Sequence, residues 1–425
     1  MKPIIQVALD LVDLPRAMQI AKESAAGGVD WIEAGTPLIK SEGMNAVREI
    51  KKNFNKITVA DLKTMDCGRC EVEMAAKSGA DIAVLLGASD DSTIIDAVCA
   101  GKNYGCKIMV DLINIGDMQK RALELEKLGV DYICIHVGVD QQMKGIDALI
   151  ELEKIAKSVK IPIAIAGGIN SETAPAAVKA GASIIIVGGA ITKAKDAKIA
   201  TELIKNSIDT GIPIKTELYK KFIDPKEVFE KVSCANISDA MHRTGEMQDI
   251  KPLFSGIKMI GQAVTVRTYP GDWAKTVEAI DIAKAGEVIV VDAGCGRTAV
   301  WGELATQSCI QKGINGIVID GAVRDTEEIK ELKFPVFTRF VTPAAGEPKG
   351  FGEINVSIKC GGVMVREGDW IVGDDDGVVV VPMENAIEIA NRALDVLERE
   401  NRLREEIKRG STLSKVAGLK KWEKV

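Results

Sequence analysis

Eight short runs rich in β-branched residues recur within about 210 residues at the start of the chain, each stopping at a polar or glycine-rich turn. The runs cover residues 4–10, 31–37, 57–63, 82–88, 107–113, 132–138, 162–169 and 184–192, and amphipathic stretches such as 14–27 and 116–128 lie between them. A strand and a helix repeated eight times is the count of a (β/α)8 TIM barrel, an α/β fold. A doubly wound open sheet is the alternative, but six strands satisfy it. Its glycine fingerprint is also missing from the first turn, which reads Leu9-Asp10-Leu11-Val12-Asp13.

A chain of 425 residues exceeds what one hydrophobic core usually serves, so two domains are expected. The barrel is assigned to residues 1–211, ending at Gly211, a linker with Pro213 near its start to 212–225, and a second domain to 226–425. That second part mixes strand runs at 257–268, 287–292, 316–320, 336–339 and 370–382 with fewer helices, and ends in a charged helix at 384–408. The mixture predicts a separate α/β domain rather than another barrel. Opposite charges four apart along the final helix read as a solvated or oligomer-facing surface.

The net charge of -6, with no concentrated Lys/Arg run, argues against nucleic acid as a partner. No apolar run is long enough for a bilayer, and the opening MKPIIQVALD lacks a signal-peptide pattern. Nine scattered cysteines suit reduced thiols, and a cytoplasmic protein is expected. Cys67 and Cys70 spell C-x-x-C, yet no second ligand pair or thioredoxin-like context accompanies them, so loop thiols are expected.

In such a barrel, chemistry sits where the strands end. Here the ends carry Asp10, Glu33, Asp61 with Lys63 and Asp66 beyond, Asp111, and His136 with Asp140 beyond. Alternation puts Asp61 and Lys63 on one face of their strand. Any single Asp is as readily a cap; the cluster is the signal. Carboxylates on neighbouring strands make a hard-oxygen site suited to Mg²⁺, Lys63 would stabilise negative charge, and His136 has the ordinary pKa of a base working near neutrality. Glycine pairs end the last two strands, Gly167-Gly168 and Gly188-Gly189, and together predict a cradle for a phosphorylated substrate.

The segment Ala60-Asp61-Leu62-Lys63-Thr64-Met65-Asp66 resembles the Asp-x-Lys-x-x-Asp signature of the orotidine 5′-monophosphate decarboxylase suprafamily. Within it, Ala8-Leu9-Asp10, Glu33-Ala34-Gly35-Thr36-Pro37 and the stretch from His136 to Gln142 resemble 3-hexulose-6-phosphate synthase. The related 3-keto-L-gulonate-6-phosphate decarboxylases, the alternative reading, carry an Arg after the strand-six His region. Positions 137–142 here hold none. The resemblance implies an aldehyde-lyase joining formaldehyde to ribulose 5-phosphate, or the reverse, with Glu33 and Asp61 on Mg²⁺. It also implies His136 as base, Lys63 as enediolate stabiliser, Asp10 and Asp66 as orienting groups, Asp66 from a neighbouring subunit, and Asp140 near the substrate.

In the second domain, Gly302-Glu303 opens a helix, Asp320-Gly321 closes a strand, and Arg324-Asp325 follow. With Asp374-Asp375-Asp376-Gly377 later, this pattern resembles the class II 4-hydroxy-4-methyl-2-oxoglutarate aldolase and RraA-like family, whose domain is of the swivelling α/β type. The resemblance implies Arg324 for a pyruvyl carboxylate and Asp325 in support of a metal, with Glu303 and Asp320 as weaker candidates. The non-enzymatic alternative is a regulatory or oligomerisation module. Both resemblances imply a homo-oligomer.

Overall fold

The computed structural model describes residues 2–145 and 149–419. By internal contacts the chain divides into two units, Met1–Lys221 with Glu398–Val425, and Phe222–Leu397.

The first unit contains a closed parallel barrel of eight strands in sequence order: β1 (Ile4–Leu9), β2 (Trp31–Ala34), β3 (Ile57–Thr64), β4 (Ile82–Leu86), β5 (Lys107–Asp111), β6 (Tyr132–His136), β7 (Ile163–Ala166) and β8 (Ile184–Val187). The strand of period two splits the side chains between two apolar clusters. Val7, Leu9, Ile32, Val110, Ile135, Ile165 and Ile185 join the cluster shared with the surrounding helices. Ala8, Trp31, Val59, Val84, Met109, Cys134, Ala164 and Ile186 form a separate cluster that fills the barrel interior. The interior is a packed plug, and polar residues on the inward face stand where the strands leave it.

Most sequence runs overshoot the strands at their C-terminal ends. Residues there leave the ladder to build the mouth; 189–192, for example, form a short helix (Gly189–Thr192). Helices are well specified locally. The helix Leu14–Gly27 starts at Asp13, whose side chain accepts the Arg16 N–H, and stops at Gly28 in the left-handed region (φ +96°).

The second unit holds a mixed sheet of β9 (Lys251–Pro252), β10 (Met259–Arg267), β11 (Val288–Asp292), β12 (Ala299–Trp301), β13 (Gly316–Val323), β14 (Val336–Val341), β15 (Glu353–Ile354), β18 (Trp370–Asp374) and β19 (Gly377–Val381). Its central order is β19-β18-β10-β11-β13-β14-β9, with β10, β11, β13 and β14 parallel. A separate hairpin joins β16 (Ile358–Cys360) to β17 (Val363–Val365). The run at 370–382 is therefore two antiparallel strands turning at Asp375-Asp376, not one. The strand expected to end at Asp320 continues to Val323, so Asp320 lies within the sheet.

Two expectations about boundaries are corrected. The charged helix (Ala386–Lys408) does not belong wholly with the second domain, because residues from Glu398 onward count with the barrel. Nor is this end merely solvated. The Arg402 side chain is 2% exposed, its guanidinium bonded to Glu23 (2.9 and 3.2 Å) and Glu406 (3.0 Å). A buried guanidinium needs such partners, which sequence spacing on one helix cannot reveal. The 212–225 segment is likewise no free linker at its start: Ile214 donates to the Ser171 carbonyl (3.0 Å), and the Ser171 hydroxyl donates to that of Ile214 (2.7 Å).

Burial opposes ionisation of Glu23, but Arg402 wins and draws its carboxyl down to about 2 from 4.5. A depressed folded-state pKa contributes stability above the unfolded value and loses it as pH falls. Urea unfolding of the wild type should weaken between about pH 4.5 and 2, and Glu23→Gln should remove part of that slope; an unchanged slope would contradict the network.

Candidate active site

On the inward face, alternation aligns Gln6 and Ala8 on β1, Trp31 and Glu33 on β2, Val59 and Asp61 on β3, Met109 and Asp111 on β5, and Cys134 and His136 on β6. On β2, β3, β5 and β6 the inner residue is apolar and the outer one is ionisable, while β1 reverses the order, with buried Gln6 inside and Ala8 outside. Register supports the grouping, since Ala8 pairs with Glu33, and Glu33 with Val59.

Asp111 is the junction of the site. Its Oδ2 accepts from Lys63 Nζ at 2.7 Å and lies 2.8 Å from His136 Nδ1, while Oδ1 accepts the Ile113 N–H at 2.9 Å. Burial pushes this carboxyl upward, but the His136 and Lys63 contacts overcome it and hold the pKa at about 2. Burial likewise works against the charge on Lys63, yet Asp61 and Asp111 keep it raised far above the usual lysine range. Lys63 also meets Asp61 Oδ2 at 3.0 Å. Its route differs from simple alternation: the β3–β4 register slips between Asp61 and Thr64, and Lys63 adopts a left-handed backbone (φ +47°). A bulge with this strain re-aims a side chain at a functional position.

Asp61 is buried. Its Oδ2 also accepts the Thr36 hydroxyl (2.9 Å), whereas its Oδ1 has no partner among the described residues. Glu33 is 5% exposed and takes an amide N–H from Gln6, itself 0% exposed. Burial, then the charges of Asp61 and Asp10, push Glu33 well above the carboxylate range. Asp10 keeps an open face to solvent, but dense surrounding protein and the Asp61 charge raise it too. A Cβ on Gly35 would strike Asp10 Oδ1, and one on Gly188 would lie 3.7 Å from Oδ2, so Asp10 sits between the turns that follow the two strands flanking β1.

The structure thus gathers Asp10, Glu33, Asp61, Lys63 and His136. Gly167 (φ +103°) and Gly168 (φ +73°) need glycine's freedom, and a Cβ at Gly167 would meet the Val137 carbonyl. Asp66 and Asp140 are placed differently. Asp66 is exposed, with its carboxylate turned onto the Cys67 N–H (2.7 Å), and Asp140 is exposed in the short helix Val139–Met143. Cys67 and Cys70 are exposed free thiols. Sequence reasoning missed Gln6 and Thr36 and gave Asp111 no role; a glutamine inside the apolar run IIQVAL was the readable signal.

In the second unit, Asp325 sits at a left-handed position (φ +57°) at the start of the helix Thr326–Glu331. Its Oδ1 meets Arg324 Nε at 2.9 Å, and its Oδ2 accepts the Glu303 N–H at 3.2 Å. Gly302 lets it approach, since a Cβ there would strike Oδ2. Both side chains stay partly open, 42% and 30% exposed. Asp320 is instead tied to Arg339 Nε (2.6 Å) and the Gly361 N–H (2.7 Å), and Glu303 takes the Gln307 amide. Asp320 is thereby engaged within the sheet, whereas the Glu303 contact is an exposed pair one helical turn apart.

Among the described residues, no three His, Cys, Asp or Glu side chains converge as a closed metal cage. No described helix is long and apolar enough to cross a membrane.

Residues 3–204 match the model of the orotidine 5′-phosphate decarboxylase / HUMPS family, and residues 234–380 match the RraA-like family, described as Aldolase/RraA. Through its first half the chain belongs to the orotidine 5′-phosphate decarboxylase / HUMPS family, and it carries an RraA-like domain behind it. It is similar to the 3-hexulose-6-phosphate synthase of Bacillus subtilis, 44% identical over 209 residues that make up 49% of this chain and 99% of that protein. It is also similar to the 3-hexulose-6-phosphate synthase of Mycobacterium gastri, 40% identical over 48% of this chain and 99% of that one. A crystal structure of 3-hexulose-6-phosphate synthase aligns over 49% of this chain and 100% of its own, at 42% identity and a TM-score of 0.47.

With Lys63 and His136 holding it near 2, the Asp111 carboxyl should titrate upward when either partner loses its charge. A carboxyl ¹³C titration of Lys63→Met and of His136→Gln should each show the rise; a signal unmoved in both would contradict the junction.

Proposed function

We propose that the barrel catalyses the aldol addition of formaldehyde to D-ribulose 5-phosphate, giving 3-hexulose 6-phosphate, and its reversal, with Mg²⁺ as cofactor. The observation that carries this reading is the Asp111 junction, which supplies an oriented base and a permanent cation on one cavity. The likeness to enzymes named for that reaction supports it, as does the absence of Arg at positions 137–142.

The residues fit a divalent cation. Asp61 and Asp111 share one ammonium, Lys63, Glu33 and Asp10 are raised in part by the Asp61 charge, and Asp61 Oδ1 is buried without a partner among the described residues. Glu33 and Asp61 would hold Mg²⁺, an ion that keeps waters and takes substrate oxygens, so two protein carboxylates suffice. When bound, the ion supplies a Lewis acid for the ketone and hydroxyl oxygens of the substrate.

Asp111 is ionised at neutral pH, so it accepts, and the His136 Nδ1 must carry the proton. Nε2 is then left with its lone pair, free to act as a base. His136 takes the C1 proton of ribulose 5-phosphate, and the electron pair moves to the carbonyl oxygen to form an enediolate. Lys63, charged across the whole working pH range, stabilises that oxyanion. C1 then attacks the formaldehyde carbon, and its oxygen gains a proton. The glycine turns after β7 and β8 receive the phosphate, and Asp10, between the β2 and β8 turns, orients substrate hydroxyls.

The second domain is proposed to take a pyruvyl compound at Arg324, with Asp325 supporting a metal. The open, pinned pair favours a ligand site over a purely structural module. A thermal shift with pyruvate and Mg²⁺ should vanish in Asp325→Ala; no shift in the wild type would leave the regulatory or oligomerisation module ahead.

Formaldehyde consumption with ribulose 5-phosphate and Mg²⁺ should fall by roughly 10²- to 10⁴-fold in Asp61→Ala and in His136→Ala. An inactive, folded wild type would overturn the aldolase.

A further inference from the structure

The loop that leaves β8 carries a lysine that neither the family resemblance nor the mechanism above uses. After the short helix Gly189–Thr192 the chain reaches Lys193, whose side chain folds back over the glycine turn. A Cβ on Gly189 would lie 3.3 Å from Lys193 Nζ, 3.4 Å from Cε and 3.6 Å from Cδ. Its charge also reaches Asp10, helping to lower a carboxyl that burial and Asp61 raise. Asp10 in turn lies against Gly188. The Lys193 ammonium is thus placed at the β8 turn, on the side of the mouth where a sugar phosphate would rest its anionic end. A fixed ammonium there supplies charge that backbone N–H groups alone do not.

The loop is held by chain that lies outside the eight βα units. The Tyr219 hydroxyl donates to the Lys193 carbonyl (3.2 Å). The buried Arg402 donates from Nη1 to the carbonyls of Ala194 (3.2 Å) and Lys195 (3.4 Å), and Arg409 donates to that of Lys195 (2.9 Å). Glu23, which shares Nη1 and also takes Nη2, and Glu406, on Nε, orient Arg402. Tyr219 also ties in the β7 turn, because its carbonyl accepts from Asn170 Nδ2 (2.9 Å), two residues after Gly168. Both glycine turns are therefore braced by residues 214–219 and by the end of the final helix. An arginine buried at this depth is costly unless its donors are used, and here they are spent on this loop and two carboxylates.

We propose that Lys193 is the cation that receives the substrate phosphate, with Tyr219 and Arg402 as positioning residues that fix its loop. This rests on the sugar-phosphate reading of the barrel and goes beyond it in naming the anion-binding side chain and the segments that set its place.

The test uses the full chain and two readouts: kcat and KM for ribulose 5-phosphate, and calorimetric binding of inorganic phosphate. Lys193→Met should raise KM about ten- to a hundredfold, more than it changes kcat, and abolish phosphate binding, while Lys193→Arg should restore most of both. Tyr219→Phe, a mild change, and Arg402→Lys should raise KM in the same sense by a smaller factor. Unchanged KM and phosphate binding in Lys193→Met would overturn the assignment. If Tyr219→Phe and Arg402→Lys change thermal stability alone and leave KM at the wild-type value, the braces are structural only. A wild type that turns over no ribulose 5-phosphate yet binds phosphate through Lys193 would overturn the aldolase and leave this site standing; one that binds no phosphate would overturn this site.

Discussion

Asp111 gives one oxygen to both Lys63 and His136, and the cost of burying that carboxylate explains much of what surrounds it. A charge removed from water is tolerated only when partners replace the solvent, and truncating one member of such a set leaves another unpaired. Lys63 is bound in turn to Asp61, so strands β3, β5 and β6 are tied through a single web of charge. That web also sets protonation states on which the proposed mechanism depends. An ionised Asp111 decides which ring nitrogen of His136 holds the proton, and two carboxylates decide that Lys63 stays a cation. Flexible side chains would sample these states; here the barrel selects them.

The barrel can carry this mouth because its interior is filled below it. Trp31, Val59, Val84, Met109 and Ile186 exclude water beneath the carboxylates, which strengthens every charge interaction above them. The same exclusion raises Glu33, held by the buried Gln6 amide. A carboxyl raised by burial beside an Asp61 oxygen with no partner among the described residues is a costly arrangement for the protein alone, and it is the one on which the proposed cation site rests.

Much of this was legible in the residues. The eight β-branched runs mark every barrel strand, and the rule that chemistry sits at strand ends picks out Glu33, Asp61 and His136. Lys63 was placed beside Asp61 for a reason that does not hold, since a register slip and a left-handed backbone bring it there. Strand ends were overestimated because mouth residues keep strand-like composition after leaving the ladder. Gln6 went unread because one polar residue in an apolar strand has no assigned partner until the β2 neighbour is known. The final helix was the hardest case. Its charges satisfy i,i+4 spacing with Glu406 as a solvated helix would, while the decisive partner of Arg402, Glu23, lies 379 positions away. Long-range pairing of this kind is invisible to any local pattern.

On the proposed mechanism the Asp111 junction makes His136 a base for the C1 proton of a ribulose phosphate. Proton exchange at that carbon isolates the step from any second substrate. With ribulose 5-phosphate and Mg²⁺ in D₂O, without formaldehyde, the wild type should place one deuterium stereospecifically at C1, and His136→Ala should not. Exchange that survives in His136→Ala, or its absence in a folded, Mg²⁺-loaded wild type, would contradict the assignment.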